Sequence, residues 1–454
     1  IEKIHIAMEG ADIQPGDKIA ICGRNSAHWT VTFLAIITYG AVAVPILHEF
    51  KPDQIHNIVN HSESRALFAG DHIWENLNEE DMPLLEGIIE MKDFDVVVSR
   101  SEQLTYAREH LNEIFGQKYP CRFRPEDIHY RREESPEELC ISYGAHLWFL
   151  TRMPSPKIIM ESFAEIRPRI ISCVPLVVEK IFKKSVLPKI DNKLGKLLLK
   201  VPIVNDRIRE RINQYAMEAF GGNFIEIIIG GAPFNAEMEA FVQSIRFPYT
   251  LAYGMTECGP IIAHDHQRDM KPSSCGRVAS RMEAKVLSPA PSVIPGELVC
   301  RGENLMLGYY KNEEATRQVI DNEGWLHTGD MAIIDEEGYI FIKGRCKNML
   351  LTASGQNIYP EEIEDYLTAL PVIDEVIVSA IKDEDGSETG LQCEVYPMQE
   401  KVEGLDEKAA YDLVKAAVEG YNATMPSHKR VIKVNIRKEP FEKTTSQKIK
   451  RKYN

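Results

Sequence analysis

The first fifty residues alternate between strand-like and helix-like spacing of apolar positions. Lys18–Cys22 is a short apolar run that ends in a polar turn. A helical pattern then extends from Ser26 to Tyr39, and Gly40 is a typical stop signal. A second, buried strand is predicted over Ala41–Ile46. The uncharged stretch from Trp29 to Leu47 is therefore interpreted as a βαβ unit within a hydrophobic core, not as a membrane span.

The same alternation continues through the first half of the chain. The further predicted strands are Ala66–Ala69, Val96–Ser99 and Phe224–Gly230, and the predicted helices are Glu161–Arg169 and Leu176–Ser185. Short buried strands that alternate with helices are typical of a layered α/β domain with a mostly parallel sheet.

The pattern changes near Gly296, where short strands and turns replace the helices. Gly296–Arg301 and Tyr339–Ile342 are predicted strands, and Asp335–Gly338 is a hairpin signal. After Gly344 the spacing predicts a compact α+β segment. Its elements are helix Pro360–Leu367, strand Val372–Ala380, strand Gln392–Tyr396 and helix Glu407–Tyr421. We therefore predict a large domain over residues 1–344 and a small domain over residues 345–454.

Composition narrows the possible classes of protein. The chain has 454 residues, more than one hydrophobic core usually serves, and its 44% hydrophobic and 27% charged residues are typical of a globular protein. The formal net charge of −15 argues against a nucleic-acid-binding protein, which would carry a basic surface. The nine cysteines have no CxxC spacing, so they predict neither a zinc site nor disulfides, but thiols in a reducing compartment such as the cytoplasm. The start of the chain, at Ile1, has no signal-peptide pattern.

Two glycine-containing segments follow apolar runs and have nucleotide-binding chemistry. In Gly230–Pro233, the two glycines have no side chain, so a flat ring or a phosphate can approach the backbone closely. A plain structural turn is the alternative explanation of these residues. In Tyr253–Glu257, the ring can stack on a base, Thr256 can donate to a phosphate and Glu257 can bind Mg²⁺. An ordinary loop with one surface acid is the alternative.

Later segments offer single charged groups. Asp330 ends the run Gly324–Asp330 just before a predicted strand, where a carboxylate suits the two hydroxyls of a ribose or caps its own turn. Pro360, followed by two glutamates, is good chemistry for a helix start whatever the function. The basic tail Lys443–Lys452 is either a solvated end or a means of delivering one lysine to an anionic centre.

Taken in this order and spacing, these segments resemble the adenylate-forming superfamily, which includes acyl-CoA synthetases, peptide-synthetase adenylation domains and beetle luciferases. The resemblance extends over nearly the whole chain and is strongest to bacterial long-chain fatty-acyl-CoA ligases. It implies a layered α/β body with a β-rich subdomain, and a small mobile α+β C-terminal domain. It also implies ATP, Mg²⁺ and coenzyme A as the small molecules of the reaction.

The resemblance implies a role for each residue that matches a family motif. The nucleotide-binding positions are Gly230, Gly231, Ala232, Pro233, Tyr253, Gly254, Asp330 and Arg345. Among these, Tyr253 stacks on adenine, and Asp330 and Arg345 bind the ribose hydroxyls. Thr256 contacts a phosphate, and Glu257 holds Mg²⁺.

The resemblance also implies that the small domain rotates, and it assigns roles in this movement to three positions. Lys347 matches the hinge, Gly355 matches the glycine that lines the channel for coenzyme A, and Lys448 matches the lysine that binds the carboxylate and the α-phosphate. The surroundings of Lys448 depart from the family pattern, with Gln447 where glycine is common and Glu442 where proline is common. Lys443 is the alternative for its role.

One departure concerns the phosphate loop. The family has a loop rich in Ser, Thr and Gly after a strand like Glu138–Tyr143, whereas here Tyr143 leads directly into Gly144. Without its backbone N–H groups nothing obvious cradles the terminal phosphates of ATP. Either the encoded protein carries a loop between these residues that this sequence omits, or the loop is lost and the protein is inactive. The intact remaining motifs favour the first explanation.

The reaction implied is the activation of a carboxylic acid, a medium- or long-chain fatty acid, to acyl-AMP and its transfer to coenzyme A. A fatty acyl-AMP ligase that loads a carrier protein is a second possibility. A non-catalytic protein that binds an acyl group or a nucleotide is the third. Acyl chain length, peripheral membrane contact and homo-oligomer formation stay open.

Overall fold

The computed structural model describes residues 1–70, 72–118, 148–150, 155–190, 206–351, 357–382, 388–443 and 449–451. Contact clustering divides the chain into two compact units, residues 1–155 and residues 156–454. The predicted domain division between residues 344 and 345 stays a prediction.

The first unit contains one five-stranded sheet and its helices. The strands are β1 (Lys18–Cys22), β2 (Val42–Ile46), β3 (Ala66–Ala69), β4 (Gly87–Glu90) and β5 (Val96–Ser99), and the helices are α1 (Glu2–Gly10), α2 (Ala27–Tyr39), α3 (Pro52–Ser62), α4 (Glu102–Glu109) and α5 (Leu111–Lys118). The sheet order is β2-β1-β3-β4-β5, and all neighbours are parallel except β4 and β5. The predicted βαβ unit is confirmed.

Both faces of this sheet are covered, which explains why its central strands are continuously apolar. Ile19 and Ile21 of β1 belong to one hydrophobic cluster, whereas Ala20 and Cys22 belong to another on the opposite face. Strand β2 differs from the prediction of a buried strand. It lies at the edge of the sheet, where one side of the strand has no neighbouring strand. Val42 is therefore 48% exposed.

The part of the second unit up to residue 345 contains a mixed sheet and an antiparallel sheet. The strands are β6 (Ile170–Cys173), β7 (Glu226–Gly230), β8 (Tyr249–Gly254), β9 (Ile261–His264), β10 (Arg277–Val278), β11 (Met282–Leu287), β12 (Gly296–Gly302), β13 (Leu326–Ile334) and β14 (Ile340–Arg345). The helices are α6 (Pro156–Ile166), α7 (Pro175–Ile181), α8 (Leu187–Ile190), α9 (Asp206–Ala219), α10 (Ala236–Ser244) and α11 (Glu313–Val319), with a π-helical stretch at Phe182–Val186. The sheet orders are β10-β9-β8-β7-β6 and β11-β12-β13-β14.

The remainder of the second unit is the predicted compact α+β segment. Its strands are β15 (Leu350–Leu351), β16 (Asn357–Ile358), β17 (Ile373–Lys382), β18 (Glu388–Pro397) and β19 (Val431–Ile436), and its helices are α12 (Pro360–Thr368), α13 (Gln399–Val402) and α14 (Glu407–Thr424). Strands β17, β18 and β19 form one sheet, whose side chains share a hydrophobic cluster with α12 and α14.

One prediction in the second unit was wrong in detail. The helix expected over Glu161–Arg169 lies at Pro156–Ile166, and it ends there because Arg167 has a positive φ of 52° and Pro168 follows it. The strands of this unit that were not predicted are β6, β9, β10, β11, β15, β16 and β19. Most of them are short, and their pairing with other strands, rather than their local pattern, makes them strands.

Among the described residues, no helix combines the length and the apolar character that crossing a membrane requires.

Phenylalanine rings dominate the core of the mixed sheet. Phe182 is 0% exposed, and its ring centroid lies 5.9 Å from that of Phe220 and 5.1 Å from that of Phe247. Aromatic pairs at such distances add to the stabilisation that burial of their apolar surface provides.

We expect Phe182→Ala to lower the free energy of unfolding by about 3–5 kcal/mol, because it leaves a cavity among these rings. Urea unfolding followed by circular dichroism measures this effect. Ile225→Ala is the control, since Ile225 is 47% exposed and its truncation removes little buried surface. Equal losses in the two variants would contradict the assignment of Phe182 to the core.

Candidate active site

The two glycine-containing segments lie at the same edge of the mixed sheet. Strands β7 and β8 are neighbours and parallel, and Gly230 at the end of β7 pairs with Ala252 near the end of β8. The segments Gly230–Pro233 and Tyr253–Glu257 therefore leave the sheet side by side at its carboxyl edge. In open α/β sheets this is the edge where ligands bind.

The backbone at this edge needs glycine at two positions. Gly231 has a φ of +83°, a conformation that L-residues with side chains rarely adopt. A Cβ on Gly254 would lie 1.8 Å from the carbonyl oxygen of Pro260, so no side chain fits there. Gly231, Ala232 and Pro233 are exposed, which leaves the turn after β7 accessible to a ligand.

The centre of the site is the carboxylate of Asp330. The hydroxyl of Tyr253 donates a 2.6 Å hydrogen bond to its Oδ2, and Nε of Arg345 lies 3.0 Å from its Oδ1. The side chain of Asp330 is 10% exposed, whereas that of Arg345 is 52% exposed. Three residues that lie far apart in the sequence, each of which the resemblance assigned to nucleotide binding, are thus brought together.

Asp330 differs from the prediction in its place on the strand. We expected it just before a strand, but it lies inside β13, opposite Arg345 of β14. Gly329 has a φ of +68°, and the register of β13 shifts after Met331. This local irregularity interrupts the regular strand pattern in the sequence and explains the error.

Thr328 supports the carboxylate and was not singled out from the sequence. Its hydroxyl donates to the carbonyl oxygen of Leu298 at 2.7 Å and accepts from the backbone N–H of Asp330 at 3.1 Å. Its carbonyl oxygen also accepts a bond from Nη1 of Arg345 at 3.2 Å. The only sequence signal was its position two residues before the acid.

The environment of Tyr253 keeps its phenol protonated. Burial is the largest cause and the negative charge of Asp330 the second, and together they raise the pKa of Tyr253 far above its ordinary value of 10.0. Arg345 acts in the opposite direction. The phenol therefore remains a hydrogen-bond donor at physiological pH and orients the carboxylate.

Glu257 lies in the short 3₁₀ turn Thr256–Cys258, directly after β8. The hydroxyl of Tyr309 donates a 2.9 Å hydrogen bond to Oε1 of Glu257, and Met306 N–H donates to its backbone carbonyl. Tyr309 was not predicted as a site residue. The preceding Gly308 was its signal in the sequence, and the structure gives this glycine a φ of +148°.

The donor chemistry around Glu257 fits Mg²⁺ that is shared with a substrate. Within the described ranges there is no group of three or more His, Cys, Asp or Glu residues that could enclose a metal ion. Mg²⁺ typically keeps several waters and binds through one or two carboxylates together with substrate phosphates. A single carboxylate held by Tyr309 matches that requirement.

The remaining predicted residues are placed as follows. Thr256 is exposed beside Glu257, and Lys347 is exposed in the 3₁₀ turn Cys346–Asn348 that follows β14. Gly355 and Lys448 lie outside the described residues, as do Tyr143 and Gly144 of the phosphate-loop prediction. Lys443, the alternative to Lys448, lies 2.5 Å from the buried carboxylate of Glu375.

Comparison with protein families identifies the chain. The AMP-binding enzyme family matches residues 6–130 and 135–310, and the AMP-binding enzyme C-terminal domain matches residues 347–453. The chain belongs to the AMP-binding enzyme family. The predicted adenylate-forming superfamily and fold class, a large α/β body with a smaller C-terminal domain, are confirmed.

Curated relatives in this family match the chain over different lengths. The protein YdaB of Bacillus subtilis (strain 168), named provisionally as an acyl-CoA ligase, is 25% identical over 417 residues, which are 84% of this chain and 80% of that protein. A 4-coumarate–CoA ligase of Vanilla planifolia is 37% identical over 175 residues, which are 36% of this chain and 31% of that enzyme. The match of higher identity thus spans less than a third of the Vanilla planifolia enzyme.

Solved structures of AMP-binding enzymes share the fold. The anthranilate CoA ligase AuaEII in complex with anthranoyl-AMP has a TM-score of 0.71 at 18% identity, covering 99% of this chain and 88% of that one. The O-succinylbenzoate coenzyme A synthetase of Bacillus subtilis in complex with AMP has a TM-score of 0.67 at 16% identity, covering 99% and 91%. Likeness at this identity establishes the fold alone.

A second group of acids lies on helix α12 of the C-terminal segment. Burial raises the pKa of Asp365 from 3.8 to about 7, and the neighbouring charges of Glu364 and Glu179 add to the rise, as do those of Glu361 and Glu362. Nζ of Lys429 lies 2.8 Å from Glu362 and partly offsets the negative charge of this helix.

The raised pKa of Asp365 predicts that α12 packs less stably at alkaline pH. The folded protein holds a proton on Asp365 between about pH 4 and pH 7, whereas the unfolded chain does not. Its contribution is therefore complete below about pH 4 and is lost as pH rises through 7. We expect Asp365→Asn to raise the melting temperature by a few degrees at pH 8 and by clearly less at pH 5, where only part of this contribution has been lost.

Differential scanning calorimetry of both variants at the two pH values tests this prediction. Asp374→Asn, which removes an exposed acid from β17, is the control and should shift both melting temperatures equally. An Asp365→Asn effect that is the same at pH 5 and pH 8 would show that the charge of Asp365 is not responsible.

Proposed function

We propose that this protein is an ATP-dependent acid–thiol ligase that converts a carboxylic acid to acyl-AMP and then transfers the acyl group to coenzyme A. AMP and pyrophosphate are the other products. Membership of the AMP-binding enzyme family supports this class of reaction. The site residues add support from chemistry that does not depend on the comparison.

One observation carries the proposal: the carboxylate of Asp330 is held between Tyr253 and Arg345. A fixed carboxylate is suited to accept hydrogen bonds from both hydroxyls of a ribose. The neighbouring turn Gly230–Pro233 offers accessible backbone for the adenine ring. A nucleotide placed in this way has its phosphates free to extend towards Thr256 and Glu257, which follow Tyr253 in the chain.

The first half-reaction is the in-line attack of the substrate carboxylate on the α-phosphorus of ATP, with pyrophosphate as the leaving group. Negative charge grows on the phosphoryl oxygens, so positioned cations provide most of the rate enhancement. Glu257 would hold Mg²⁺, which supplies charge neutralisation at the phosphates when bound. Lys448 would supply the second cation, to the substrate carboxylate and the α-phosphate.

The pairing of Lys443 favours Lys448 for this role. The ammonium of Lys443 is bound to Glu375, whose side chain is only 9% exposed. Removing Lys443 from that partner would leave a buried carboxylate unpaired, which is strongly unfavourable. In the second half-reaction a rotation about Lys347 would withdraw the lysine and bring the Gly355 segment to the site, so that coenzyme A can approach.

Two classes of acid are candidates for the substrate. The sequence resemblance points to a medium- or long-chain fatty acid, and we propose this class first. The names of the relatives favour an aryl acid as the second candidate, since 4-coumarate and anthranilate ligases are among them. Two other functions are alternatives to this reaction. In the first, a carrier protein replaces coenzyme A as the acceptor of the acyl group. In the second, the protein binds an acyl group or a nucleotide without catalysing a reaction.

The direct test is exchange of labelled pyrophosphate into ATP, measured with a panel of fatty acids of increasing length and with 4-coumarate. We expect exchange that requires both Mg²⁺ and one class of acid. Asp330→Asn should weaken ATP binding by about 10-fold or more, because a neutral amide loses charge-assisted bonds to Tyr253, Arg345 and the ribose.

Asp335→Asn is the matched control. Asp335 is also a carboxylate of the β13–β14 hairpin, but its partners are Lys271 and the backbone N–H groups of Glu337 and Tyr339. If the intact protein exchanges no pyrophosphate with any acid in the panel, the ligase proposal is wrong. Subsequent addition of coenzyme A or a carrier protein distinguishes the two acceptors.

Lys448→Ala separates the two half-reactions. We expect a loss of adenylation of about 100-fold or more, because one cation that stabilises the transition state is removed. Conversion of supplied acyl-AMP and coenzyme A to the thioester should stay near the rate of the intact protein. An equal fall in both half-reactions, measured by pyrophosphate exchange and by thioester formation, would contradict the two-pose mechanism.

A further inference from the structure

The carboxylate that is proposed to hold Mg²⁺ is supported by a loop from a later part of the chain. This loop, residues 303–312, lies between strand β12 and helix α11. The N–H of Met306 donates to the carbonyl oxygen of Glu257 at 2.8 Å, and the hydroxyl of Tyr309 donates to Oε1 of Glu257 at 2.9 Å. The loop therefore holds both the backbone and the side chain of this acid.

The start of the loop is anchored next to Glu257. Nδ2 of Asn304 donates to the carbonyl oxygen of Cys258 at 2.5 Å and to that of Ile261 at 3.2 Å. Cys258 is buried, so this anchor lies against the hydrophobic core. The loop is thus fixed to the turn of Glu257 before the chain reaches Tyr309.

Thr316 of α11 fixes the backbone of Tyr309. Its hydroxyl accepts the N–H of Tyr309 at 2.9 Å and donates to the carbonyl oxygen of Asn312 at 2.9 Å. The N–H of Asn312 donates in turn to the carbonyl oxygen of Tyr309 at 3.0 Å. Because a hydroxyl can donate one hydrogen bond and accept others, this single side chain ties the loop to the start of the helix.

Gly308 permits this close contact. Its φ is +148°, and a Cβ at this position would lie 2.9 Å from Cγ2 of Thr316 and 3.0 Å from its Oγ1. A side chain at residue 308 would therefore displace Thr316. The backbone reaches the threonine hydroxyl because this residue is a glycine.

The bond from Tyr309 orients the carboxylate of Glu257 without occupying it. An ionised carboxylate has about four lone-pair sites on its two oxygens, and the phenol uses one of them. Mg²⁺ that binds one protein carboxylate together with substrate phosphates is bound more tightly when that carboxylate already has a fixed direction. Groups that orient a metal ligand typically change metal affinity by about 10- to 100-fold.

We propose that Tyr309 and Thr316 are positioning residues for the magnesium-bound phosphates of ATP. Thr316 fixes the backbone of Tyr309, and Tyr309 fixes the carboxylate of Glu257. This inference rests on the proposed function. It adds two residues that act through Glu257 rather than by contact with the nucleotide.

Tyr309→Phe tests the link to Glu257, because it removes the hydroxyl and keeps the ring. In the wild-type protein we expect ATP to bind more tightly as Mg²⁺ is raised. In the variant this gain should be about 10-fold smaller, because the carboxylate is no longer fixed. Isothermal titration calorimetry without any carboxylic acid measures the affinity for ATP at each Mg²⁺ concentration in the absence of turnover. The affinity for AMP, which lacks the two terminal phosphates, should stay unchanged.

Tyr310→Phe is the matched control. Tyr310 is the next residue in the chain and is 47% exposed, and Nζ of Lys311 lies 5.3 Å from the centre of its ring. The substitution removes the same kind of hydroxyl and keeps the ring. It should leave the effect of Mg²⁺ on ATP binding unchanged.

Thr316→Val tests the link to Tyr309, since valine keeps the shape of threonine and removes the hydroxyl. We expect the gain in ATP affinity from Mg²⁺ to fall several-fold. Thr316→Ser, which restores a hydroxyl, should recover most of this gain. Thr316→Val added to Tyr309→Phe should have little further effect, because both substitutions interrupt the same route to Glu257.

An unchanged effect of Mg²⁺ in Tyr309→Phe would overturn the inference. So would an equal fall in the affinities for AMP and ATP, which would indicate a purely structural role, or independent, additive losses from the two substitutions. Failure of the proposed function is distinguishable from these results, because the wild-type protein itself would then exchange no pyrophosphate.

Discussion

The candidate site depends on one buried carboxylate, Asp330, which joins two sheets. Tyr253 reaches it from the mixed sheet, and Arg345 reaches it from the last strand of the antiparallel sheet. A carboxylate that is removed from water without partners is costly, so these contacts require the two sheets to hold a fixed relation at this point. The same contacts fix the orientation of the Asp330 carboxylate, as recognition of ribose hydroxyls would require.

The position of Arg345 links this constraint to the proposed domain movement. Arg345 ends strand β14, and Lys347 lies two residues later in an exposed turn. A chain that is fixed at one residue and exposed two residues later is suited to act as a hinge, because the rotation does not disturb the anchored strand. In the proposed mechanism, the nucleotide-binding group and the movable segment therefore meet within three residues of sequence.

The C-terminal segment differs from the Asp330 site in the balance of its charges. Helix α12 carries four neighbouring acids, three of which are paired to Lys429 or Arg451, whereas burial and negative neighbours raise the pKa of Asp365 to about 7. The segment is thus held by hydrophobic packing of its core together with a few specific ion pairs. The relatives differ in the acid that each is named for.

The sequence by itself determined the local elements, the order of the motifs and the family. The spacing of apolar residues predicted β1, α2 and most of the C-terminal segment. Such elements depend on periodicity and on start and stop residues that lie close together in the sequence. Only the tertiary structure decided that Tyr253 donates to Asp330, that Thr328 and Tyr309 support the two acids, and that Arg451 is bound to Glu364. These contacts join residues that are up to 87 positions apart in the chain, and a local pattern holds no information about which distant side chain will satisfy a buried charge.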